Sequence, residues 1–162
     1  MGKLDARQIE TYFEINLPPR VRGLIAHYRM THEPGSTVPK AWRGDLGQLE
    51  ACYLASLVNG RMFWNLMGVG KDRDGALKPF RFENDDVSAE DLGGKLLDVP
   101  GLTVEDDELF RVFIRMADKA AAHFTLPFDH PWERSHEAIL RIYQLVSANL
   151  YEPAGRFIVP LG

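Results

Sequence analysis

The chain reads as all-α, a helical bundle of about five to six helices, on three observations. Leu49 to Met67 carries only two charges, Glu50 and Arg61, and has apolar residues all round a helical wheel. Apolar residues recur at helical spacing before and beyond it, most clearly along 109–124 and 139–149. Helix-start signals stand ahead of the periodic runs, at Asp45, Ser88 to Asp91, Thr103 to Asp106 and Asp129 to Pro131. Strand-like alternation is confined to the ends, and there is neither a fixed repeat nor a low-complexity tract.

Asp5 to Ile15 has helical character and is expected to stop at Pro18 and Pro19, one of which opens a second short helix carrying Val21, Leu24, Ile25 and Tyr28. His32 to Asp45 holds two prolines and two glycines and reads as a loop, with Asp45 capping the apolar helix. Gly68 to Asp86 is rich in Gly, Lys, Asp and Arg; it is expected to be a mobile connection with an exposed tip, in which residues 80–82 can pair as a short extended piece. Ser88 to Asp91 has capping-box spacing, with Asp in place of the preferred Glu, and should start a short helix ending near Asp98 to Pro100. Thr103 to Asp106 repeats the pattern before a run reaching Phe124. Pro131 then opens a helix lined by Ile139, Ile142, Leu145, Val146 and Asn149. One domain over 1–162 is expected: N-terminal helices and loop to 45, a core bundle over 46–151, and an apolar tail over 152–162 that docks on the body or on a partner.

Composition is that of an ordinary globular chain: 162 residues, 45% hydrophobic and 26% charged. A net charge of -4 excludes non-specific DNA binding through the field of the whole molecule. The single cysteine, Cys52, lies in the apolar helix, which excludes an intrachain disulfide and reads as core packing in a reducing compartment. No segment has the length needed to span a membrane and MGKLDARQIE has no apolar signal region, so a cytoplasmic protein with no membrane partner is expected.

Arg61 is the leading functional residue, because a guanidinium inside an apolar helix needs an anionic partner. Glu50 lies roughly 16 Å away along the axis, so the partner must come from elsewhere, with Asp85, Asp86, Glu108 and Asp118 as candidates. On the 104–124 helix, Leu109, Phe113, Met116, Ala117, Ala120 and Phe124 face the core. Arg111, Arg115, Lys119 and His123 recur every four residues and spiral from solvent toward the core boundary by about 40° per step. Two arrangements follow. In one, Arg61 is a structural tether and the cationic row is a solvated face near the helix C-terminus. In the other, Arg61, Lys119 and His123 converge as catalytic groups on a phosphate, with the imidazole as general acid or base, and Arg111 and Arg115 bind substrate.

No metal site and no cofactor are expected. Glu133 and His136 form half of a di-iron pattern without a second copy, and His27, His32, His123, His130 and His136 lack paired ligand spacing. Gly68 to Lys71 is a turn, since Asp72 stands where a phosphate-cradling loop needs Ser or Thr. Ser135 and Ser147 lack a nucleophile elbow. Trp42, Trp64 and Trp132 read as core or interface anchors.

Leu49-Glu-Ala51 with Arg61 twelve positions after Leu49, Asn84-Asp-Asp-Val87, and Asp118-Lys-Ala-Ala-Ala-His-Phe-Thr125 together resemble uncharacterised bacterial helical proteins akin to the HEPN (higher eukaryotes and prokaryotes nucleotide-binding) superfamily, over roughly residues 46–147. That resemblance implies a bundle that forms a homodimer and binds or cleaves RNA or a nucleotide, as a metal-independent ribonuclease in a toxin-antitoxin or phage-defence setting. The superfamily's signature is an arginine four to six residues before a histidine. Here seven residues separate Arg115 from His123, whereas Arg22-Gly-Leu-Ile-Ala-His27 and Arg20 with His27 satisfy the spacing. The departure leaves a second expectation open, a non-catalytic dimeric interaction or regulatory module with a protein partner.

Overall fold

The computed structural model describes residues 4–34, 36, 38–122 and 132–161. Helix α1 (Ala6–Thr11), a π turn (Tyr12–Asn16) and α2 (Leu17–Thr31) run into one another as a single rod. Asp5 caps it through a reciprocal capping box with Gln8. Two short helices with a break were expected; the structure instead absorbs Pro18 and Pro19 in the first turn of α2. Neither proline has an N–H, and each ring crowds the carbonyl four residues back. The backbone therefore widens by one residue, with the Leu17 N–H donating to the Tyr12 carbonyl. Val21, Leu24, Ile25 and Tyr28 are buried, as their spacing requires.

Asp45 caps α3 (Leu46–Leu66), its carboxylate accepting from the Gln48 N–H at 2.8 Å. The helix ends at Gly68, whose φ of +83° is one that a residue with a Cβ rarely adopts. The following segment is no simple connection. It folds into an antiparallel hairpin, β1 (Val69–Lys71) with β2 (Leu77–Pro79), in the register Val69 to Pro79 and Lys71 to Leu77. Asp72 organises the turn by accepting from the Asp74 and Ala76 N–H groups, and Arg73 and Asp74 at the tip are exposed.

Ser88 and Asp91 cap each other as anticipated, but the helix they start is one 3-10 turn, Glu90–Leu92, ended by Gly93 at φ +83°. A second such turn spans Val99–Gly101. This stretch is stitched to its neighbours by backbone bonds from Ala89 to Leu66, Lys95 to Asn149 and Leu97 to Met67. Helix α4 spans Val104–Ala122, with Thr103 accepting from the Asp106 N–H. Helix α5 spans Trp132–Val146 and passes into a second π turn, Ser147–Tyr151.

Packing closes a ring: α2 on α3, α3 on α4, α4 on α5 and α5 on α2, around one continuous apolar core. Two glycines make α3 the shared wall. A Cβ on Gly23 would stand 2.4 Å from the Asn59 carboxamide, and one on Gly60 would stand 2.3 Å from the Phe113 ring. The core side of α4 is broader than expected, since Phe110 and Ile114 join Leu109, Phe113, Met116 and Ala117. An Arg141 to Asp106 pair, two hydrogen bonds at 2.9 and 2.8 Å, ties α5 to α4. The tail docks: the Tyr143 hydroxyl donates to the Val159 carbonyl, and Arg156 reaches Glu10, holding that carboxyl below its ordinary pKa. Among the described residues no helix is long and apolar enough to cross a membrane.

Gly60→Val should lower stability by about 1–3 kcal/mol despite the better helix propensity of valine, because the Phe113 ring is fully buried and has nowhere to retreat. Urea denaturation monitored by circular dichroism checks this; an unchanged midpoint would show that α3 and α4 can separate freely.

Candidate functional site

Arg61 meets α4. Its Nη1 lies 3.4 Å from Asp118 Oδ1, and Lys71 from the hairpin pairs with the other oxygen of the same carboxylate. Asp118 is one of the four partners the sequence offered. The helix was expected to enclose the guanidinium, but its side chain is 30% exposed and Val58, one turn earlier, is 53% exposed. Only the sides of α3 that meet α2, α4 and α5 are sealed, so Arg61 sits at a rim. Two cations share one anion there, and the locus carries one surplus positive charge. Arg111 is held by Asp107 at 2.6 Å, and the exposed Arg115 bonds back to the Arg111 carbonyl. His123 lies outside the described residues, as do Phe124, His130 and the side chains of Lys119, Ala120 and Trp132. Cys52 is half-buried at the edge of α3, and Trp64 is fully buried against Phe110.

Three histidines gather where the sequence showed no ligand spacing. His136 Nε2 on α5 lies 2.9 Å from His27 Nδ1 on α2, so one imidazole donates to the other, and the His32 ring stands edge-on to His136 at 4.9 Å. His32 is five residues from His27, but it is the C-cap of α2 in extended conformation, which folds its ring back to stack on Tyr28. Tyr53 closes the cluster against the His27 ring and donates to Ser135 at 2.9 Å. Burial, then the neighbouring His136 and His32 rings, push the His27 pKa down to about 3. It is a neutral core residue, which turns the imidazole of the Arg22 to His27 spacing away from solvent. Among the described residues no group of three or more His, Cys, Asp or Glu is arranged to hold a metal.

On the other side of α3 a cleft of about 690 Å³ opens between the π turn, the start of α2, α3 and the strip after β2. This volume falls within the range of small-molecule sites. Tyr12, Phe80 and Phe82 supply aromatic faces, the two phenylalanines edge to face at 5.1 Å. Met62 and Leu66 form an apolar floor on α3, flanked by Asn59 and Asn65. Both carboxamide oxygens are buried without a hydrogen-bond partner among the described residues. Asn59 is 8% exposed, and its Nδ2 is already committed to the Ala55 carbonyl at 2.7 Å. Arg20 also lines the cleft, exposed and without an ion pair among the described residues. Asp86 is occupied by the Glu83 N–H at 2.7 Å.

Sequence reasoning did not find this cleft. Its signal was present as two asparagines interrupting an apolar helix and as the aromatic pair around Arg81; Tyr12 gave none. Fold and cleft together define a helical ring with a mixed aromatic and amide pocket beside α3. No family model, no curated protein and no solved structure matches the chain.

The His27 shift fixes a pH dependence. Its folded pKa of about 3 is below the unfolded value of 6.5, so only the unfolded state takes a proton as pH falls through that window. Stability is intact above pH 6.5 and falls below it, by at most about 1.4 kcal/mol per pH unit from this group. His27→Gln, which retains an acceptor for His136, should flatten the decline between pH 6.5 and 5 in denaturation titrations; parallel curves for the two proteins would contradict the shift.

Proposed function

We propose that this chain binds a nucleotide or the end of an RNA strand in the cleft beside α3, as a binding protein and not as a nuclease. One observation carries the reading: a pocket of nucleotide size combines aromatic faces, buried carboxamides and an uncommitted guanidinium. Aromatic rings stack a base of any sequence, carboxamides read a base edge, and an arginine binds phosphate. A HEPN-like bundle fits that ligand class. Arg61 does not line the cleft and already has a carboxylate, so cleavage by Arg61, Lys119 and His123 draws no support from the geometry around Arg61.

Calorimetric titration of the full chain with nucleoside 5′-monophosphates and with a 5′-phosphorylated RNA hexamer tests this. Binding should weaken about tenfold or more in Arg20→Ala and in Phe82→Ala, a loss of about 1.4 kcal/mol or greater. Arg61→Gln should leave it unchanged. No binding of any of these ligands overturns the reading, and a loss in Arg61→Gln alone moves the site to the Asp118 locus.

A second reading, an interaction module that pairs with its own copy, is favoured by Phe157, which is 99% exposed while Ile158 and Val159 beside it pack on the core. Light scattering should then show a homodimer at low micromolar concentration that Phe157→Ser returns to monomer; a monomeric wild type removes this reading.

A further inference from the structure

We infer that the cleft selects a ribonucleotide whose base carries an exocyclic amino group, an inference that rests on the nucleotide-binding reading above. It starts from the two orphaned oxygens. A buried acceptor with no donor is costly, by about 1–3 kcal/mol for each carboxamide oxygen, and native proteins seldom tolerate it outside a functional site. Of the four buried side-chain atoms on α3 with no hydrogen-bond partner among the described residues, the two acceptors are these oxygens, the donors being Arg61 Nη1 and Trp64 Nε1, and both asparagines line the same cleft.

Their roles differ. Asn59 has its amide nitrogen bound to the Ala55 carbonyl, a bond that fixes which end is oxygen, since a flipped carboxamide would set two oxygens against each other. Packing against Gly23 holds it further. What Asn59 has left to offer a ligand is chiefly its acceptor. Asn59 lines the cleft with that oxygen buried and unpaired. Asn65 likewise has an unpaired oxygen. The ligand must therefore supply donors at two points. Six residues of helix separate the two asparagines by about 9 Å along the axis, comparable with the span of a ribonucleoside from an exocyclic amine to a sugar hydroxyl.

The same argument selects against an oxo base. A ring carbonyl facing a carboxamide oxygen would place two acceptors together and leave both unsatisfied, and a site built around a hydrogen bond rejects a ligand that cannot make it more strongly than it rejects a change of apolar size. Tyr12, Phe80 and Phe82 stack amino and oxo bases alike, so discrimination falls to the amides.

The test compares adenosine 5′-monophosphate with inosine 5′-monophosphate, which exchanges the 6-amino group for a 6-oxo group and carries a proton on N1, and with purine riboside 5′-monophosphate, which lacks only the amino group. Titrated by calorimetry into the intact protein, the amino nucleotide should bind at least about tenfold tighter than either. The ratio should fall toward one in Asn59→Leu or in Asn65→Leu. The wild-type ratio needs no variant, so it stands if either substitution prevents folding. Equal or tighter binding of the nucleotide that lacks only the amino group overturns this inference and leaves nucleotide binding in place. Failure of all three to bind overturns the inference and the nucleotide-binding reading together.

Discussion

Close approach of α3 to two neighbours at once is the constraint on which the rest of this molecule depends. Gly23 and Gly60 remove the side chains that would hold α2 and α4 away, and Asn59 and Phe113 fill the space so released. Because interiors are packed to crystal-like density, those contacts also set how α3 is rotated. That rotation sends Tyr53, Leu57, Phe63 and Trp64 inward. The same rotation leaves Arg61 at the rim toward α4 and turns Asn59, Met62 and Asn65 toward the cleft.

Polar groups within this frame fall into two kinds. The histidine cluster, the Tyr53 to Ser135 bond and the Arg141 to Asp106 pair each join two helices and have their partners in place. They lock the relative positions of α2, α3, α4 and α5. The carboxamide oxygens of Asn59 and Asn65 join nothing, and they occur where the wall is made by a π turn and a strip of irregular backbone. Pro18 and Pro19, which bring no N–H donors, follow directly on that π turn. Two of the five buried side-chain atoms without a hydrogen-bond partner among the described residues thus belong to residues that line the opening.

Arg61 shows how a sound physical premise can lead to a different place. A guanidinium does need an anion, and Asp118 provides one; but Lys71 arrives at the same carboxylate from a hairpin that composition alone made look like a flexible link. Three short β residues on each side, a glycine at +83° and an Asp72 turn suffice to order it. The hairpin then carries Phe80 and Phe82 to the cleft. Its folding thus bears on the C-terminal third of α3, setting Lys71 beside the Arg61 to Asp118 pair and aromatic walls beside the cleft.

By itself the sequence determined the helical class, the caps at Asp45, Ser88 and Thr103, the buried faces of α2, α4 and α5, and the docking of an apolar tail. Each follows from periodicity or from hydrogen bonding within a few residues, and both are local properties. The tertiary structure alone decided that the first two helices are one rod, that His27 and His32 meet the distant His136, which of four carboxylates takes Arg61, and that Tyr12, Arg20, Asn59, Asn65 and Phe82 share a cleft. Those facts depend on helix rotation and on contacts between residues up to 109 positions apart. No local pattern encodes them, because rotation is set by the volumes of side chains contributed by other helices.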